Sequence, residues 1–174
     1  MRVESGTAAI VGHAGVPPRA FDLAQVRWTR PMDNRGMQTD DEATSESSTE
    51  TPFQWIGGED TVRALVTRFY DLMDLEPGYA ALRATHGPDL ASAREKLFLF
   101  LCGWLGGPQH YVERHGHPRL RARHLPFEIG IRERNQWVAC MDQAMAEVGI
   151  EPVLRERLYD SFMQTADWMR NKNG

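Results

Sequence analysis

The chain has 174 residues, of which 41% are apolar, 9% aromatic and 25% charged, the size and composition of one globular domain with room for a tail. A formal net charge of −4 argues against the basic face of a nucleic-acid-binding domain. No apolar run approaches the roughly 18 residues needed to cross a bilayer, so neither nucleic acid nor membrane is an expected partner.

Residues 1–50 differ from the rest. They carry five Arg against eight Asp or Glu, and Asp40 to Glu50 (DDEATSESSTE) contains no large apolar residue. Such a segment cannot bury enough surface to fold, so residues 1–50 are expected to be a disordered extension and 51–174 the folded domain. Ala8-Ala9-Ile10-Val11 is too short for a signal-peptide core. Met32 and Met37 are alternative candidate starts of translation.

From Phe53 the pattern tightens. Gly57-Gly58 reads as a hinge, and Glu59-Asp60 places acid at a helix start, where it complements the dipole. Val62, Leu65, Val66, Phe69, Leu72 and Met73 then fall on one helical face, with Tyr70 turned inward beside Phe69, until Pro77-Gly78 ends the run. A link from Tyr79 to Pro88 contains His86. Asp89 is a candidate N-cap for a helix through Leu90, Ala93, Leu97, Phe98, Leu99, Phe100, Leu101, Trp104 and Leu105, whose second half is apolar nearly all round and so should be buried on several sides. Gly106-Gly107-Pro108 stops it.

The stretch from Gly106 to Trp137 holds four of the six histidines and six arginines. It shows little helical periodicity and reads as a long ordered loop, a functional signal in a compact domain. Arg132 to Val148 forms a further helix, with Trp137, Val138, Met141, Ala144, Met145 and Val148 inward and Gly149 as its stop. Pro152 opens a last helix, with Leu154, Leu158, Phe162, Thr165 and Met169 on one stripe. Four substantial helices and no convincing strand make the domain all-α. Cys102 and Cys140 lie inside helical patterns without CxxC or CxxCH spacing, and are read as buried free thiols in a reducing cytoplasm.

Among candidate site residues, His110, His115, His117 and His124 lack the cysteine partners or i, i+4 spacing of zinc sites. Haem iron needs only one protein nitrogen, which His124 would supply; a solvated or capping loop histidine is the other reading. Arg119, Arg121 and Arg123 suit carboxylates or form a solvated basic loop. Tyr70, His86 and Trp137 come from three separate elements, and either line a donor-bearing cavity or serve as ordinary core aromatics.

One block decides between these readings: Gly116-His117-Pro118-Arg119-Leu120-Arg121-Ala122-Arg123-His124-Leu125-Pro126-Phe127. With Phe69-Tyr70-Asp71-Leu72-Met73, Gly106-Gly107-Pro108, Ile131 to Trp137 (IRERNQW) and Cys140-Met141, it resembles the group II truncated haemoglobins, two-over-two helical members of the globin superfamily, over about residues 53–170. The resemblance implies haem b with His124 as the proximal iron ligand. It implies a ligand pocket of Tyr70, Trp137, His86, Ala93 and Leu97, and haem contacts from Phe100, Arg121, Arg123 and Phe127. His86 stands where most globins have phenylalanine and other group II members tyrosine, and Ala93 replaces the distal histidine of familiar oxygen carriers. The implied function is tight, slowly releasing binding of dioxygen and other diatomic gases at a five-coordinate iron. The alternative is nitric-oxide or peroxide chemistry, which would require an external reductase. The expected location is the cytoplasm.

Overall fold

The computed structural model describes residues 50–173, so the expected N-terminal extension lies, but for Glu50, outside the described residues. Eight α-helices follow in order among those described: α1 (Pro52–Ile56), α2 (Gly58–Leu75), α3 (Ala80–Ala84), α4 (Ala91–Trp104), α5 (His110–His115), α6 (Leu120–His124), α7 (Ile131–Glu147) and α8 (Pro152–Met169). A 3-10 turn, Pro77–Tyr79, joins α2 to α3. The four long helices are the four read from the sequence. They pack as two pairs, α2 with α4 and α7 with α8, and α2 rests on α7. This is a two-over-two helical sandwich. No described helix is long and apolar enough to cross a membrane.

Helix α2 buries Val62, Leu65, Val66, Phe69, Tyr70, Leu72 and Met73. That three- and four-residue recurrence is what an amphipathic helix requires. Glu59 and Asp60 occupy its first turn. Gly57, at φ 103°, closes α1 and opens α2 in a left-handed conformation that other residues resist. A close approach fixes Gly107 as well, because a Cβ there would stand 2.5 Å from the Phe53 ring of α1. The backbone N–H of Ala91 donates to Asp89 Oδ1 at 2.9 Å, so the aspartate satisfies an orphan donor at the start of α4. Gly149 stands just beyond α7 at φ 79°, as expected of a helix stop.

The stretch from Gly106 to Trp137 departs from the expected loop. It contains α5 and α6 before α7 begins at Ile131. Helices of six and five residues are too short to display an amphipathic period, and short helices draw their stability from packing rather than propensity. Both cysteines are free and buried. Burial pushes the Cys102 thiol up to about 11 and the Cys140 thiol up to about 12, so both stay protonated.

Leu158 of α8 is fully buried among the helix pairs. Leu158→Ala should cost about 2–5 kcal/mol of stability through lost transfer energy and a cavity, read as a lowered denaturant midpoint.

Candidate functional site

The apolar excess on α4 has an unexpected outlet. Phe98, Leu99, Leu101 and Cys102 are buried in the core. Ala93, Leu97, Phe100 and Trp104 form a second stripe on the same helix, only partly buried, and it lines a cavity of about 720 Å³. That volume falls in the roughly 300–1,000 Å³ range of cavities that enclose a sizeable organic ligand. Helix α2 contributes Tyr70, the α3 end Leu82, Thr85 and His86, α6 His124 and Arg123, α7 Arg134 and Trp137, and α8 Phe162 and Met169.

Nine of the ten residues expected at the site line this one cavity: His124, Tyr70, Trp137, His86, Ala93, Leu97, Phe100, Arg123 and Phe127. Arg121 does not. Its guanidinium donates to the carbonyls of Trp168 and Arg170, the free acceptors at the end of α8. It fastens α6 to the C-terminal segment instead of meeting a ligand.

His124 Nδ1 lies 2.7 Å from the Leu120 carbonyl. A carbonyl can only accept, so Nδ1 carries the ring proton and Nε2 is left with a lone pair. The C-terminal segment holds the backbone around this histidine. Asn171 donates from Nδ2 to the His124 carbonyl at 3.2 Å and the Phe127 carbonyl at 2.7 Å, and its Oδ1 accepts from the Ile129 N–H at 3.0 Å. The N–H groups of Asn171 and Lys172 both donate to the Ile129 carbonyl. Nothing in the periodicity of the sequence marks Asn171, because its partners lie more than 40 residues away.

Tyr70 and Trp137 flank Phe69. Its ring stands 5.1 Å from that of Tyr70 and 5.5 Å from that of Trp137. Burial raises the Tyr70 phenol well above its ordinary value, so it remains a proton donor. Arg94 steadies it, bonding the Thr67 carbonyl and Asp71 Oδ1 on α2 with its guanidinium 5.7 Å from the Tyr70 ring. Neither the Tyr70 hydroxyl nor the Trp137 indole N–H hydrogen-bonds another described residue. His86 is held by Arg83, which donates to Asp74 and to the carbonyls of Gly87 and Pro88.

The sequence missed further lining residues. Trp104 stacks on Phe162 at 4.8 Å, and Phe100 meets Tyr111 edge-on at 6.3 Å. The signal for Trp104 was its place four residues after Phe100. Lys96, Arg123 and Arg134 bring positive charge to the lining, against the two acids Asp89 and Glu133. Arg134 Nη1 pairs with Asp167 at 2.5 Å, while its Nε is buried without a partner. A large, flat, apolar cofactor carrying carboxylates and needing one nitrogen ligand fits this donor set.

A family model described as bacterial-like globin matches residues 51–171. The group 2 truncated hemoglobin YjbI of Bacillus subtilis (strain 168) is 40% identical over 125 residues, which cover 72% of this chain and 92% of that protein. Among solved structures, the group II 2-on-2 hemoglobin of Agrobacterium tumefaciens is 44% identical with a TM-score of 0.70, covering 74% of this chain and 99% of its own. The truncated oxygen-avid haemoglobin of Bacillus subtilis is 40% identical with a TM-score of 0.64, covering 70% and 99%.

Asn171→Ala should free the backbone that follows His124. We expect a loss of about 1–3 kcal/mol and faster hydrogen exchange at the Ile129 N–H; an unchanged exchange rate would contradict the tethering role.

Proposed function

The chain belongs to the bacterial-like globins and, among them, to the group II truncated haemoglobins, and on that premise we propose that it holds haem b and binds dioxygen tightly, releasing it slowly. The observation that carries this reading is the pair of unspent donors, the Tyr70 hydroxyl and the Trp137 indole N–H, in the cavity that also receives the Nε2 lone pair of His124. His124 would hold the iron. Arg123 would meet a haem carboxylate: its Nε is occupied by the Pro118 carbonyl at 3.0 Å, which aims the guanidinium without using its other nitrogens. Arg134, which also lines the cavity, is the second candidate.

Ferrous haem supplies the bond to the gas and shifts electron density onto it. The chain's residues determine how long the gas stays. A hydrogen bond to a charged or strongly polarised acceptor contributes about 1.5–3 kcal/mol. At a factor of ten per ~1.4 kcal/mol, two such bonds slow release on the order of 10²-fold or more. The donors also distinguish ligands, because dioxygen gathers negative charge and carbon monoxide gathers little. Phe100, Leu97 and Ala93 present apolar surface around them and limit competing water. A chain that retains dioxygen this firmly suits storage or scavenging better than delivery.

Trp137→Phe should accelerate oxygen release about ten-fold or more, by the loss of one such bond, in stopped-flow displacement with carbon monoxide. Release as slow as in the unsubstituted protein would refute the assignment of Trp137 as a donor.

A further inference from the structure

One side of the His86 ring is fully committed. Thr85 Oγ1 lies 2.7 Å from the Leu82 carbonyl, so its single proton is spent there. Nδ1 of His86 lies 3.1 Å from that same carbonyl and 3.2 Å from Thr85 Oγ1. Both neighbours therefore present only lone pairs to Nδ1. The nitrogen must carry the ring proton, since otherwise lone pairs would face one another. The other nitrogen, Nε2, is left bare and makes no hydrogen bond to any described residue. His86 lines the same cavity as Tyr70, Trp137 and His124.

A bare basic nitrogen has no use for dioxygen or carbon monoxide, which bring no proton. It matters for a ligand that does. Tyr70 and Trp137 offer protons to the cavity, and His86 offers a place to put one. Phenylalanine at this position would offer nothing, and a tyrosine hydroxyl would supply a third donor.

We propose that the cavity also takes small protic ligands HX, of the class of hydrogen cyanide and hydrogen peroxide, and that Nε2 of His86 is the base that receives their proton. The H–X bond breaks, its electron pair stays on X, and the proton forms the N–H bond of a His86 imidazolium. X⁻ is left as the species offered to the cofactor, with the Tyr70 hydroxyl and Trp137 N–H as its donors. No oxidant or reductant is consumed, because only a proton moves.

The surroundings suit the role. Burial pushes the His86 imidazole below its ordinary value, with Arg83 adding to the shift, so the ring is uncharged at neutral pH and its Nε2 is free to accept. Its orientation is fixed from three sides. Arg83 fastens the backbone that follows it, the Gln136 side chain of α7 accepts from the Leu82 N–H at 2.9 Å, and the Tyr70 ring stands edge-to-face at 5.9 Å. A base held against the proton it takes typically contributes about 10²–10⁴-fold.

The proposal rests on the haem reading of the cavity, and its test separates the two. Cyanide association with the ferric protein and carbon monoxide association with the ferrous protein are followed by stopped flow in the unsubstituted chain, His86→Phe and His86→Gln. The Soret band shows that each variant has folded around haem. Both variants should bind cyanide on the order of 10²-fold more slowly, while carbon monoxide association, which needs no base, is not slowed in proportion. Cyanide binding as fast as in the unsubstituted chain would overturn the base. Equal slowing of carbon monoxide would overturn it too, by showing that His86 controls entry rather than a proton. An unsubstituted chain that takes up no haem would overturn the reading of the cavity itself.

Discussion

The structure turns on one hydrogen bond, from Nδ1 of His124 to the Leu120 carbonyl one helical turn before it. Imidazole has two nitrogens and one proton, so committing the proton to the backbone leaves the lone pair of Nε2 for the cavity. A histidine turned the other way would be only another loop residue. The bond in turn requires that α6 be a helix, because only helical geometry brings a side chain to the carbonyl four residues back. That places a demand on a five-residue helix with no buried face of its own, and such a helix cannot stand unaided.

The rest of the fold supplies that support from a distance. Arg121 ties α6 to the carbonyls at the end of α8, and Asn171 grips the backbone at His124, Phe127 and Ile129. The long helices do the complementary work of holding a space open. Helix α4 seals the core with one stripe and faces the cavity with another, and the chain of rings from Tyr70 through Phe69 and Trp137 to Phe162 and Trp104 stiffens the wall. The wall is mostly apolar in area, and the polar groups set into it give the cavity its specificity.

What the sequence disclosed follows from the range of the physics involved. The four long helices were legible because their apolar spacing is a local, repeated signal, as in Val62, Leu65, Val66 and Phe69. His124, Tyr70 and Trp137 could be placed only through their resemblance to a family, since composition and spacing left each open to an ordinary structural role. Helices α5 and α6 were read as loop because six and five residues carry no period. Arg121 was grouped with Arg123 because the two alternate along the chain. Two residues apart on a helix, however, they point in different directions, and Arg121 meets the C-terminal segment. Asn171 and Arg134 act through contacts distant in sequence, and no pattern of neighbours announces them. The tautomer of His86 depends on the hydroxyl of Thr85 as well as on the Leu82 carbonyl, and became readable only with distances between atoms.

The central claim is a bond between Nε2 of His124 and iron, and the most direct measurement is the resonance Raman spectrum of the ferrous, gas-free protein. The account predicts an iron–imidazole stretching band that is lost in His124→Gly and returns when free imidazole is supplied to that variant. A band that survives His124→Gly without added imidazole would mean that another residue holds the iron, and would contradict the account.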